Sequence, residues 1–117
     1  MDLELDGQQV TAQEAEFNLT LRTDRGSELQ IETAYTVQNA GTTISVTPGE
    51  SDPPSLVEQR ISSASATDSG RLEVVFESGV ALRVEPDPDF EAWTFVAPGG
   101  KRVVSMAEGE LAVWSGD

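Results

Sequence analysis

The sequence predicts a mainly β fold: antiparallel, rich in hairpins, forming a sandwich or an open barrel, with one short helix near residues 56–62. Three observations carry this. Apolar and polar residues alternate with a period of two through most of the chain, as half-buried strands require. Turn residues recur every 8–12 positions, giving roughly eight to ten short strands. Only one stretch, around Ser55, breaks that rhythm in favour of helical spacing.

From the N-terminus, Met1 to Ala12 alternates weakly, with Leu3 and Leu5 opposite Asp2, Glu4 and Asp6. Glu16 to Thr23 is a clearer strand, with Phe17, Leu19 and Leu21 on its inner face. Asp24-Arg25-Gly26-Ser27 turns the chain, and Glu28 to Glu32 returns with Leu29 and Ile31 inward. Alternation resumes at Tyr35 and Val37 after an interruption at Thr33-Ala34 that reads as a bulge. Asn39-Ala40-Gly41 is the next turn, and Thr43 to Thr47 carries Ile44 and Val46.

Pro48 to Pro54 breaks the strand pattern. Ser55-Leu56-Val57-Glu58 then spells a capping box, Ser at the cap and Glu three residues on, and predicts a helix over Leu56 to Ser62. Ser63 to Thr67 is small and polar, suited to a sheet edge where bulk is not needed. Arg71 to Glu77 and Val80 to Glu85 flank Ser78-Gly79, a strand–turn–strand signal with Leu72, Val74, Phe76, Val80, Leu82 and Val84 inward. The chain ends in a meander: Trp93 to Val96, a turn at Pro98 to Lys101, Arg102 to Met106, a turn at Glu108-Gly109, and Leu111 to Trp114.

Composition bounds the chemistry. The 117 residues suit a single domain, 1–117, with one core. Cysteine and histidine are both absent, so disulfides, thiolate metal sites and His-dependent nucleophiles fall away. An enzyme would have to run on carboxylates, on Lys101 or on Tyr35. No pair among the 21 acids stands out as a general acid and base. The net charge of −14 argues against nucleic acid and anionic membranes and favours a basic protein as partner. No apolar run approaches the roughly 20 residues of a membrane span. The N-terminus lacks the basic and apolar regions of a signal peptide, which points to the cytoplasm.

The candidate site is the acidic run before the last hairpins: Glu85, Asp87, Asp89 and Glu91, leading to Trp93. Acids at every second position of an extended, proline-restricted ribbon fall on one side of it. Such a row could gather a divalent cation, yet the run lacks the glycine and closing glutamate of a calcium loop, so no metal and no cofactor is expected. Trp93 beside the acids offers either core packing or a pocket for a cationic group. Trp114, at the end of the last strand, reads as core. Gly99-Gly100-Lys101-Arg102 lacks the spacing of a phosphate loop and reads as a hairpin turn.

The stretch PDPDFEAWTFVAPGGKRVVSMAEGELAVW resembles the shared ending of small acidic bacterial proteins, common in actinobacteria, grouped as a domain of unknown function. MDLELDGQQV and LQIETAYTV are similar to the start and second hairpin of that family. Pro86, Asp87, Glu91, Trp93, Gly99 and Trp114 match its pattern. The family has no established activity, so the resemblance implies no catalytic residue.

Three functional expectations follow. The first is a non-enzymatic protein, of the immunity or inhibitor type, that binds a basic partner through the acidic ribbon. The second is a small-ligand-binding or carboxylate-based enzymatic β-barrel with a pocket near Trp93. The third is a structural domain with no discrete site. The chain is expected as a monomer or as a homodimer paired along an edge strand, Ser63 to Thr67 being the favoured edge.

Overall fold

The computed structural model describes residues 1–50 and 52–115, so Ser51 of the proline-rich break and residues 116–117 lie outside the description. The strands are β1 (Val10–Glu14), β2 (Leu19–Thr23), β3 (Glu28–Ile31), β4 (Tyr35–Asn39), β5 (Thr42–Val46), β6 (Ile61–Ala66), β7 (Leu72–Phe76), β8 (Ala81–Val84), β9 (Trp93–Val96), β10 (Arg102–Ser105) and β11 (Leu111–Trp114). They form two antiparallel sheets, ordered β1-β2-β3-β9-β10-β11 and β5-β4-β8-β7-β6. The arrangement is a sandwich and not a closed barrel.

Alternation explains the packing. In β2, β3, β7 and β9 every second side chain is buried, so each strand sends one row inward. Leu19, Leu21, Leu29, Ile31, Trp93, Phe95 and Val103 from one sheet meet Tyr35, Val37, Leu72, Val74, Phe76, Leu82 and Val84 from the other in one apolar core. The inter-sheet gap bordered by Leu5, Val10, Leu21, Ile61 and Val74 measures about 10 Å³, at the lower limit for holding one water. The core is filled.

Four expectations need correction. No helix forms over Leu56 to Ser62. Ser55 Oγ accepts from the Val57 N–H at 3.3 Å, as a cap would begin, but Glu58 then takes a left-handed φ of 75°. The Glu58 N–H donates to the Val10 carbonyl at 2.8 Å, and the Val10 N–H donates to the Gln59 carbonyl at 2.9 Å. Pairing with β1 outcompetes the helical ladder, and the segment is a turn. Helical geometry among the described residues is limited to a short 3₁₀ turn at Ala107–Gly109.

Phe17 is the second correction. It precedes β2 in a bend and is 78% exposed, because the strand starts only at Leu19. The interruption at Thr33-Ala34 is the third: β3 and β4 belong to different sheets, so the chain crosses between layers there instead of bulging. True register shifts lie in β1 at Val10/Ala12 and in β6 at Ile61/Ser63.

The fourth concerns the edge. β6 does end the five-stranded sheet. Its outer side, however, is covered by the first residues of the chain. The Leu3 N–H donates to the Ala64 carbonyl at 2.9 Å, the Ala66 N–H to the Met1 carbonyl at 2.8 Å, and the N-terminal ammonium to the Ala66 carbonyl at 2.7 Å. Leu3 and Leu5 are drawn into the core by the same pairing.

Candidate functional site

Two crossings between the sheets lie side by side at one end of the sandwich. One is Glu32 to Ala34, between β3 and β4. The other is the acidic run, between β8 and β9. The Glu32 N–H donates to the Ala92 carbonyl at 2.9 Å, and Thr33 Oγ1 donates to Asp87 Oδ2 at 3.3 Å, so the two crossings are tied together. The Glu108 N–H donates to the Asp87 carbonyl at 2.8 Å and fastens both to the 3₁₀ turn.

The acidic run is bent at 88–90, not extended, and its carboxylates therefore part company. Asp87 turns inward. Its Oδ1 accepts the N–H groups of Asp89 at 2.8 Å and Phe90 at 3.1 Å, which closes the bend. Those donors, that of Asp89 first, hold the Asp87 carboxyl below the usual carboxylate range. Asp87 is thus the organiser of the loop. Glu85 turns the other way and pairs with Arg71 at 3.2 Å.

Asp89 and Glu91 remain, and they line an open groove of about 540 Å³ together with Glu32, Asp87, Phe90, Met106 and Ala107. Phe90 is 73% exposed. Among the described residues no basic side chain lines this groove. Partial desolvation, and then the charge of Glu91, push the Glu32 carboxyl above the ordinary glutamate value. The acids do not converge to a point: among the described residues no three acidic side chains sit close enough to hold a metal ion.

Behind Pro86 and Pro88 lies a second open groove of about 590 Å³, lined by Tyr35, Thr36, Ser45, Arg71, Arg83 and their neighbours. Its two cations are already engaged: Arg83 meets Glu73 at 3.1 Å, and Arg71 meets both Glu73 and Glu85. Burial pushes the Tyr35 phenol up to about 12, so it stays protonated at neutral pH. The proline strap thus separates paired charges on one side from acids on the other that, among the described residues, have no ion-pair partner.

Trp93 does not join the site. It is fully buried and its indole Nε1 donates to the Gly70 carbonyl at 2.9 Å. Its side chain lines neither of the two open grooves. The aromatic beside the acids is Phe90. Trp114 is likewise the reverse of its expectation, at 52% exposure, because β11 is an outermost strand. Glu32 and Phe90 escaped sequence reasoning. Phe90 was visible inside the acidic run, whereas nothing local marks Glu32, which reaches the groove only through the pairing of the two crossings. Gly99-Gly100 is a hairpin turn, closed by the Ala97 N–H donating to the Lys101 carbonyl at 2.8 Å.

A family model described as a family of unknown function, DUF6188, matches residues 1–115. The chain belongs to that family. No curated protein and no solved structure matches it.

Proposed function

We propose that this member of a family without assigned activity is a non-enzymatic binding protein, of the immunity or inhibitor type, that takes hold of a basic partner. The groove at Glu32, Asp89, Phe90 and Glu91 is the contact. The observation that carries the reading is the exposed Phe90 ring set among carboxylates with no cation in the lining.

The physics of such a contact is simple. A lysine or arginine of the partner lies over the Phe90 ring within about 6 Å of its centre, where the ring's negative face attracts it. The surrounding carboxylates neutralise its charge, and the −14 of the whole chain draws the partner in and speeds association. The raised pKa of Glu32 fits the same picture, since a carboxyl disfavoured as an isolated anion gains most from an incoming cation.

The test uses the tagged protein beside two variants: Glu32→Gln/Asp89→Asn/Glu91→Gln and Phe90→Ala. Partners captured from the host lysate are identified by mass spectrometry, and the affinity of the purified partner is then measured against salt. A basic partner is expected whose Kd rises about tenfold or more in either variant, with the salt dependence flattened in the charge variant. Equal affinity of all three proteins for the partner overturns the proposal, as does the absence of any basic protein among those captured.

A further inference from the structure

The four strands that end the two sheets are treated unequally. β6 is covered by Met1 to Leu3. β1 is covered by residues 54–59: Val10 exchanges backbone bonds with Glu58 and Gln59, while the Gln13 side chain donates to the Pro54 carbonyl and accepts the Leu56 N–H. β5 exposes Thr42, Thr43, Ile44 and Ser45, so one apolar side chain stands among three hydroxyls and no aromatic ring. β11 pairs only with β10 among the described residues, contains no charge, and exposes Val113 at 46% and Trp114 at 52%. An uncharged, aromatic, open strand edge invites strand addition.

We propose that β11 pairs with β11 of a second copy of this chain, antiparallel about a twofold axis at Val113, joining two six-stranded sheets into one. Hydrogen-bond parity supports this register. The Met106 N–H donates to the Glu110 carbonyl at 2.7 Å, which makes that pair the hydrogen-bonded kind. Bonded and non-bonded pairs alternate along an antiparallel ladder. Ala112 and Trp114 therefore spend their backbone groups on Val104 and Arg102, and Leu111 and Val113 turn theirs outward.

With Val113 opposite its own symmetry mate, those outward groups bond to one another across the axis. Leu111 then faces Ser115 of the second copy. Residues directly opposite share a sheet face, so Ala112 falls beside Trp114 of the second copy, and the reverse, small against large twice over. A second copy also suits the charge. In a chain at −14, Leu111–Trp114 carries no charge and so sets no acid of one copy directly against an acid of the other. The groove of the proposed function contributes no residue to this contact, so the two readings stand or fall separately.

Sedimentation equilibrium from about 10 μM to about 1 mM, at fixed salt, reads the association directly. The native chain should shift from single to double mass, and Val113→Pro should remain at single mass. By that parity the Val113 N–H makes no bond to β10, so proline there leaves the β10–β11 ladder intact. The near-ultraviolet dichroism of buried Trp93 checks the fold of the variant.

A second measurement does not depend on that variant folding well. The chain has no cysteine, and opposed residues of a hydrogen-bonded pair lie about 5.5 Å apart, within disulfide range. Val113→Cys should form a covalent dimer on mild oxidation at least about tenfold faster than Ile44→Cys on the edge of the other sheet. A native chain at single mass throughout, or equal rates for the two cysteine variants, overturns the proposal.

Discussion

The indole Nε1 of Trp93 donates to the carbonyl oxygen of Gly70 at 2.9 Å, joining the interior of one sheet to a hairpin turn of the other. Ser105 Oγ donates to the same oxygen at 3.0 Å. Both donors are fully buried, so the turn is held where water does not compete.

Replacing Trp93 by Phe removes one of the two donors and leaves space beside the ring. The expected cost is about 1–3 kcal/mol, with Ser105→Ala at the lower end. Urea unfolding checks this, as a lower midpoint at an unchanged slope.

Gly70 and Gly109 touch backbone to backbone, both at left-handed φ, 91° and 89°. A Cβ on Gly109 would overlap the Ser69 carbonyl, and one on Gly70 would overlap the Gly109 backbone. Gly41 shares the left-handed φ, at 83°, but faces open space. Gly109→Ala should therefore cost more than about 4 kcal/mol or prevent folding, whereas Gly41→Ala should cost about 1–2 kcal/mol. Thermal unfolding of the two variants separates overlap from backbone strain.

The two perturbed carboxyls of the groove work in opposite directions. Asp87 is held below its unfolded value, so it contributes stability above about pH 4, and that contribution is lost as the pH falls through its folded value. Glu32 is raised, so it weakens the fold at neutral pH, and that penalty is relieved as the pH falls through its folded value towards about 4. Carboxyl NMR titration should find Glu32 above the ordinary glutamate midpoint, moving part of the way back in Glu91→Gln. Glu32→Gln should stabilise the protein at pH 7 relative to pH 4, and Asp87→Asn should do the reverse.

Leu3 seals the edge of β6 through its N–H and fills the core with its side chain. Leu3→Ala should cost about 2–4 kcal/mol, read from the urea midpoint. Removing Met1 to Leu3 should cost at least as much and, by uncovering the edge, raise light scattering on standing.

Hairpins were legible because their information is local. Leu72, Val74 and Phe76 alternate on one side of Ser78-Gly79, and Leu82 and Val84 on the other, and all five are buried as β7 and β8. The same holds for Leu19 to Ile31, and for the last meander apart from the exposure of its end. Ser55 to Glu58 shows the limit of a local signal. Its capping box was present, yet the backbone groups of Glu58 and Gln59 found Val10, far away in sequence, and no helix formed.

The candidate site was legible only in part. The acidic run coincides with the crossing between β8 and β9, and Asp89 and Glu91 do reach the groove. Equal spacing suggested equal roles, but one bend sends Glu85 to Arg71 and turns Asp87 onto its own loop.

Alternation, turn residues and composition thus settle by themselves that this chain folds as antiparallel hairpins, acidic and without thiol or imidazole chemistry. Each depends on neighbours a few residues apart. Tertiary structure alone decided which tryptophan is buried, which edge is covered, and that Glu32 stands beside Glu91 and Phe90. Those outcomes depend on which strands become neighbours and where the chain crosses between layers. Period-two patterning shows which side of a strand faces inward, but not which strand lies beside it.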